Sequence, residues 1–161
     1  MIQAITETGF NIFVQTEDNR INTSVASTQI RHLVKFTNDL DKSVYYAYGV
    51  TETIEDRFTK ISINYDATSQ NIYTGETKIF PAGYYKYEIY EVSWIGTVTV
   101  SLGNAPATEN DVLSPAADTK GVVQGLVTKG KMYLSEKDGT QQVQYKQREA
   151  PIENNYIYYG Q

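Results

Sequence analysis

His32 is the single histidine of the 161-residue chain, and the chain has no cysteine. Disulfides, thiolate nucleophiles, thiolate metal sites and iron–sulfur clusters are therefore excluded, and any Ser–His–Asp arrangement must use this one imidazole. His32 alternates in step with Ile30, Val34 and Phe36. We expect it on the buried face of a strand, as a hydrogen-bonded core residue rather than a catalytic base.

The carboxylates that lie close together in the sequence are Asp39 with Asp41, Glu55 with Asp56, and Glu88 with Glu91. The last pair falls on opposite faces of a predicted strand, and none of the three forms a defined general acid and base. Asn38 and the two aspartates beside it could help to hold calcium. Their loop lacks the ordered ligand series of a known calcium motif, so a solvated turn is favoured.

The segment from Gly125 to Lys131, GLVTKGK, has the spacing of a phosphate-binding loop as far as its lysine. Met132 then stands where a serine or threonine would coordinate magnesium, and the residues after it alternate like a strand instead of opening a helix. Nucleotide binding is disfavoured, and two glycines flanking a strand are the simpler explanation. The sequence therefore predicts no catalytic residue, no cofactor site and no metal site, and we expect a protein that is not an enzyme.

The dominant hydrophobic period along the chain is two residues, which indicates half-buried strands rather than amphipathic helices. Turn residues separate the alternating segments, as in NDLDK at 38–42 and in Lys137-Asp138-Gly139, and both turns predict hairpins. The most regular segment is GYYKYEIYEV, residues 83–92, which is predicted to be a central strand with one solvent-exposed face. The other alternating segments are residues 10–14, 30–36, 44–50, 61–65, 132–134 and 143–145, with a short strand between 71 and 80.

About seven to nine short strands favour an all-β fold, a single antiparallel β-sandwich domain over residues 1–161. Residues 102–125 differ from the rest of the chain in composition: they are rich in Ala, Gly, Pro, Asn, Asp and Thr and show little hydrophobic periodicity. We expect one long loop or insertion at about 102–125, which is either mobile or an arm that contacts a partner.

The sequence Pro-x-Gly-x-Tyr-x-Tyr at residues 81–87 resembles the tyrosine corner of immunoglobulin-like domains. Tyr85 is the candidate corner residue, and its hydroxyl is expected to bond back to the backbone between Ile79 and Ala82. The alternative is an ordinary half-buried strand tyrosine. The absence of a cysteine pair excludes antibody-type domains, so the resemblance implies a generic immunoglobulin-like sandwich.

Charge and composition narrow the class of partner. The formal charge of −5 comes from 19 acidic and 14 basic residues scattered along the chain, which disfavours nucleic acid as a partner. No basic leader and no apolar run of membrane-spanning length is found, so no membrane contact is expected. The chain has fourteen tyrosines but only five phenylalanines and one tryptophan. Such a tyrosine excess is typical of contact surfaces, where the ring packs against neighbouring residues and the hydroxyl remains in contact with water.

The candidate partner contacts are the aromatic residues near the solvent-exposed face of the strand at 83–92 and in NNYIYYGQ, residues 154–161. Trp94 could anchor a partner, although packing in the core is the favoured explanation for it. Tyrosines on a sheet face can also stack sugars, which leaves a carbohydrate-binding module open as an alternative. The candidate contact residues are Tyr84, Tyr90, Trp94, Tyr156, Tyr158 and Tyr159.

The order of these features resembles a group of small virion proteins of tailed phages, including crAss-like phages. The resemblance spans almost the whole chain: an N-terminal strand, a strand running into KFTND, Arg57-Phe58 leading a strand, PAGYYKYEIYE, a G-K strand, and VQYK with NNYIYY at the end. The extra residues around 102–120 depart from that group. Its shared features are turns and tyrosines, so the resemblance transfers no active site.

The resemblance implies a non-catalytic virion structural protein, foremost a capsid auxiliary or decoration protein that docks on the phage shell in many copies. Its partners would be the major capsid protein or other virion proteins, and its location the virion, after assembly in the host cytoplasm. A tail or head-fibre adaptor is the nearest alternative. The carbohydrate-binding module is the alternative of another class.

Overall fold

The computed structural model describes residues 1–55, 57–114 and 117–138. These residues form nine β-strands and two short 3-10 turns, Glu17–Asn19 and Ser27–Gln29, and they include no α-helix, which confirms the all-β class. No helix within them is long and apolar enough to cross a membrane. The strands are β1 (Ile2–Ile5), β2 (Phe10–Val14), β3 (Ile30–Asn38), β4 (Val44–Tyr48), β5 (Thr51–Ile54), β6 (Thr59–Tyr65), β7 (Glu76–Thr77), β8 (Gly83–Ser93) and β9 (Val122–Ser135).

The strands form two sheets. The larger has five strands in the order β1-β9-β8-β3-β4, and the smaller has the order β2-β6-β5, with β7 beside β6. Strand β8 lies in the middle of the larger sheet, as its regular alternation predicts. Most strand pairs are antiparallel, as expected, but β1 pairs with β9 and β6 pairs with β7 in parallel.

One apolar core joins the two sheets. Ile12 and Ile61 of the smaller sheet pack with Val34, Phe36 and further residues of the larger one, and all four are fully buried. The alternation that predicts a buried face on 30–36 is therefore confirmed. Burial of apolar area at about 25 cal/mol per Å² is the main stabilising contribution in such a core.

Tyr85 takes the position expected of a corner tyrosine. Its ring is fully buried between the sheets, and its hydroxyl donates to the backbone oxygen of Pro81 at 2.5 Å. This bond falls inside the backbone stretch that the sequence predicts. It ties the start of β8 to the loop that precedes it.

The long connection between β8 and β9 covers residues 94–121, because β8 ends at Ser93 and β9 already begins at Val122. The expected loop at about 102–125 is thus shifted toward the N-terminus. The glycines of the GLVTKGK sequence lie inside β9 instead of flanking a strand. Gly125 has a φ of +146° at an irregular position, and a Cβ at Gly130 would come within 2.5 Å of the Tyr87 hydroxyl.

The first strand expected for the hairpin at residues 137–139 is present, because residues 132–134 belong to β9, where they pair with β1 on one side and with β8 on the other. The second strand of that hairpin, residues 143–145, lies outside the described residues, as does Gly139. The hairpin at 38–43 is present, since β3 and β4 are antiparallel neighbours.

Replacing Tyr85 with phenylalanine removes the bond to Pro81 and leaves a carbonyl without its partner. We expect Tyr85→Phe to lower the free energy of unfolding by about 1–2 kcal/mol. Tyr84→Phe is the matched control, because this neighbouring tyrosine is 57% exposed and should change stability by less than about 0.5 kcal/mol. Urea denaturation followed by circular dichroism measures both, and equal effects would refute the role of the corner bond.

Candidate binding surface

The candidate surface is the outer face of the five-stranded sheet, the face turned away from β2, β5 and β6. Alternation along β8 places Tyr84, Lys86, Glu88 and Tyr90 on this face, while Tyr85 and its alternate neighbours enter the core. The surface has two halves, which we call the covered half and the open half. The 94–121 connection packs on the first and leaves the second in solvent.

The covered half is a second apolar cluster. Leu33, Tyr48, Val92 and Trp94 are buried there together with Ala105 of the connection. Burial of these side chains holds the connection on the sheet. Beneath it, the five-stranded sheet is buried on both faces at this end.

Polar groups inside the covered half find partners in the connection. The Tyr48 hydroxyl donates to the Pro106 carbonyl at 2.7 Å, and the indole N–H of Trp94 donates to the Thr119 carbonyl at 3.2 Å. Burial raises the pKa of Tyr48 strongly, so this hydroxyl keeps its proton and remains a donor. Buried tyrosine and tryptophan pack stably only when such donors are satisfied.

Glu109 fastens the connection at the border between the two halves. It accepts a bond from the Lys35 ammonium at 2.5 Å and another from the Tyr46 hydroxyl at 2.6 Å. Burial acts to raise the pKa of Glu109, but the bonds from Lys35 and Tyr46 outweigh it and leave the pKa below its ordinary value. The same bond raises the pKa of Lys35, and burial together with Glu109 raises the pKa of Tyr46 to about 12.

The open half carries an aromatic pair, the exposed Tyr84 and the half-buried Tyr133. Tyr84 and Tyr133 are cross-strand partners, and their ring centroids lie 4.9 Å apart. Two ion pairs flank them on the same face: Lys86 with Glu88 at 2.7 Å and Lys131 with Asp39 at 2.5 Å. We call Tyr84, Tyr133, Lys86 and Lys131 the Tyr84 platform. It combines flat rings with charged groups on rigid strands, which suits binding of a partner surface or a sugar.

The predicted contact residues have different positions. Tyr84 is 57% exposed, whereas Tyr90 is half-buried beside the connection, and burial raises its pKa. Trp94 is 1% exposed, so the favoured explanation of core packing is confirmed and Trp94 is not available to a partner. The remaining candidates, Tyr156, Tyr158 and Tyr159, lie outside the described residues.

His32 has the core position that the sequence predicts. Its Nδ1 lies 2.7 Å from Glu52 Oε1, and its backbone N–H donates to Glu52 Oε2 at 3.1 Å. Both side chains are 3% exposed, so neither reaches a substrate from solvent. Glu52 belongs to β5 of the smaller sheet, and the bond therefore links the two sheets.

The carboxylate pairs also serve the fold. Glu91 is fully buried and accepts the backbone N–H groups of Ile21 and Asn22, both at 2.8 Å, while Glu88 bonds to lysine on the other face. In the β3–β4 turn, the Asn38 side chain accepts backbone N–H groups, and Asp41 accepts from Ser43. These bonds fit the favoured solvated turn. Asp56 lies outside the described residues.

Within residues 1–55, 57–114 and 117–138, no group of three or more His, Asp and Glu side chains could hold a metal ion. The sequence reasoning missed Glu52, Glu109 and Tyr133. Each gains its role from a contact far away in sequence, so no local pattern marks it. Tyr133 alone carried a signal, because it alternates with Met132 and Leu134 in a segment already predicted to be a strand.

Comparison with known proteins returned no match: no protein-family model, no curated protein and no solved structure is similar to this chain. The geometry of the chain itself therefore carries the functional argument.

Glu109→Gln tests the attachment of the connection, because glutamine keeps the shape of the carboxyl group and removes its charge. At neutral pH we expect the free energy of unfolding to fall by about 1 kcal/mol. The pKa of Glu109 is lower in the folded protein than the ordinary carboxyl value of 4.5. The stabilisation from its charge is therefore fully present at pH values above 4.5, and it is lost as the pH falls through the lower pKa of the folded state. Urea titrations of both proteins between pH 7 and pH 3 measure the difference.

Glu7→Gln is the control, because Glu7 and Lys137 form an ion pair whose side chains are both more than half exposed. It should shift stability by less than about 0.5 kcal/mol at either pH. A Glu109→Gln effect that persists unchanged in acid would show that charge is not what holds the connection.

Proposed function

We propose that this chain is a non-catalytic virion structural protein, a capsid auxiliary or decoration protein that docks on the shell of a tailed phage. The observation that carries the proposal is the Tyr84 platform, in which the exposed Tyr84 packs beside the half-buried Tyr133 on the central strands of a sheet. Tyrosine contributes large contact area and loses little conformational entropy on binding. The resemblance of the turn and tyrosine pattern to small phage virion proteins supports the same assignment.

The platform is suited to a modest interface repeated many times. Its lysines are paired with Glu88 and Asp39, so little net charge has to be desolvated when a partner covers them. The connection beside it is held through Glu109, so docking can use both surfaces without ordering a loop. In many copies on one lattice, avidity then strengthens individually weak contacts.

The proposed partner is the major capsid protein or another virion protein, and the proposed location is the virion. A tail or head-fibre adaptor remains the alternative within this class. We also propose that the two sheets form an immunoglobulin-like sandwich. The bond from Tyr85 to Pro81 supports it, although the parallel pairing of β1 with β9 departs from a purely antiparallel sandwich.

Purified virions test the proposal directly. Particles fractionated on a density gradient should contain this chain in a copy number comparable to that of the major shell protein. In particles assembled with Tyr84→Ala, we expect occupancy to drop at least tenfold, since tyrosines at the centre of an interface contribute about 2 kcal/mol or more. Quantitative mass spectrometry of the fractions measures the ratio.

Phe13→Ala is the matched control, because Phe13 is also an exposed aromatic residue, 59% exposed, but lies on the smaller sheet. It should leave occupancy unchanged. A handful of copies per particle would favour the tail or head-fibre adaptor, and complete absence from particles would eliminate both structural assignments.

A carbohydrate-binding module is the second candidate, and the spacing of the Tyr84 and Tyr133 rings favours it. The exposed ring of Tyr84 and the half-buried ring of Tyr133 beside it can stack on sugar faces, while the flanking Lys131 and Asp39 offer hydrogen bonds to hydroxyl groups. Such a protein would bind glycans as a free domain. Its site would be the same platform.

A glycan array separates the two candidates. Sugar binding predicts selective retention of one glycan class by the full chain, and a loss of at least tenfold in affinity for Tyr84→Ala and for Tyr133→Ala. The Phe13→Ala variant should bind like the unmodified chain. No glycan bound above background, combined with full virion occupancy, would reject the module.

A further inference from the structure

An apolar groove of ≈ 430 Å³ lies between the 94–121 connection and the beginning of β9. Its lining includes the aliphatic side chains of Ile95, Val112, Leu113, Val122 and Val123. Three of these are more than half exposed: Val112 by 92%, Ile95 by 75% and Val122 by 55%. Single exposed apolar residues are ordinary on a protein surface, but several gathered around one concave site indicate a contact with another molecule.

The wall that the connection gives to the groove is held by hydrogen bonds and packing. The Asp111 carboxylate accepts the backbone N–H of Thr108 at 3.1 Å and the hydroxyl of the same residue at 2.8 Å. The backbone N–H of Gly121 donates to the Asn104 carbonyl at 2.8 Å. Gly121 also packs against the Trp94 ring, since a Cβ there would come within 2.6 Å of Cζ2. The groove is therefore preformed, and binding does not have to order it.

Carboxylates outnumber ammonium groups in the lining, which includes Glu109, Asp111, Asp118 and Lys120. Lys35 neutralises Glu109. The hydroxyl and amide groups bonded to Asp111 hold its pKa below the ordinary carboxyl value, so its charge is present at neutral pH. Among the residues that the structure describes, neither Asp111 nor Asp118 forms an ion pair.

The cation of the lining is held by neutral atoms. The Lys120 ammonium donates to the Gly103 carbonyl at 2.5 Å and to the amide oxygen of Asn104 at 3.1 Å. It therefore contacts oxygens of the connection, and the negative charges of Asp111 and Asp118 are left for a partner. The formal charge of −5 on the whole chain acts in the same direction, because it attracts a basic partner and repels an acidic one.

We propose that the groove binds a segment of a partner protein in which an apolar side chain lies next to a lysine or arginine. The apolar side chain packs on Val112, Ile95 and Val122, and the cation lies beside Asp111 and Asp118. A protein segment fits better than a small ligand. A molecule that only filled the cavity would leave the exposed side chains of the rim in solvent, whereas a passing segment covers them.

The groove is a site separate from the Tyr84 platform. Val123 of its lining pairs with Val92, and Tyr84 precedes Val92 by eight positions on β8 (92 − 84). At about 3.3 Å per residue, the two sites lie about 26 Å apart. The inference therefore goes beyond the proposed function, and it holds whether the platform binds a virion protein or a sugar.

Selection from random seven-residue peptides displayed on yeast tests the proposal with the full chain as bait. We expect the retained peptides to be enriched in sequences that place an apolar residue directly next to lysine or arginine. Fluorescence anisotropy of the most enriched peptide then measures its affinity. The absence of any enrichment, or enrichment of peptides without a basic residue, would overturn the proposal.

A charge exchange tests the contact with the rim. Asp118 is exposed, so Asp118→Lys should leave the fold intact while lowering the affinity for the selected peptide at least tenfold. The same peptide with glutamate in place of its basic residue should bind Asp118→Lys more tightly than it binds the unmodified chain. Failure of this exchange would show that the carboxylates do not select the partner.

Val112→Ser tests the apolar contact, and we expect it to lower the affinity for the peptide at least fivefold. Val50→Ser is the matched control, because Val50 is also an exposed valine, 43% exposed, and lies between β4 and β5 outside the groove. It should leave the affinity unchanged, and equal effects of the two variants would contradict the assignment. Self-association of the chain without peptide, abolished by Val112→Ser in sedimentation experiments, would instead give the groove to a second copy.

Discussion

The packing of the 94–121 connection on the outer face of the five-stranded sheet is the interaction on which the rest of the molecule depends. It buries Trp94 and Tyr48, and it satisfies their polar groups with carbonyls of the connection. A sheet with one core face would present this whole surface to solvent. The connection divides it into the covered half and the open half, and only the open half of the sheet face is left in solvent.

Buried polar groups reinforce this arrangement. The bond between His32 and Glu52 joins the two sheets, and Glu91 holds the segment before β3 through its backbone amides. His32, Glu52 and Glu91 are thereby committed to structural contacts with defined partners. On the open half, the ring of Tyr84 meets solvent, and the proposed binding function rests on it.

The strands could be predicted wherever one face is buried, because alternation then records the burial directly. Residues 10–14, 30–36 and 83–92 show this. Strand β5 escaped prediction, since its exposed threonines and the charged Glu52 leave no apolar alternation. The parallel pairing of β1 with β9 also escaped, because it joins residues more than 120 positions apart and no local pattern encodes which distant strand is the neighbour.

The sequence by itself determined the all-β class, the absence of thiol chemistry, the buried face of His32 and the backbone bond of Tyr85, because each follows from residue type or from local periodicity. Only the tertiary structure decided which of the tyrosines are accessible to solvent and that the single tryptophan is not. Tyr84, Tyr90 and Trp94 share one face by alternation. Nevertheless, Tyr84 is 57% exposed, Tyr90 is half-buried and Trp94 is only 1% exposed. The physical reason is that burial depends on what packs across the face, and here that is a connection whose own sequence has no periodicity.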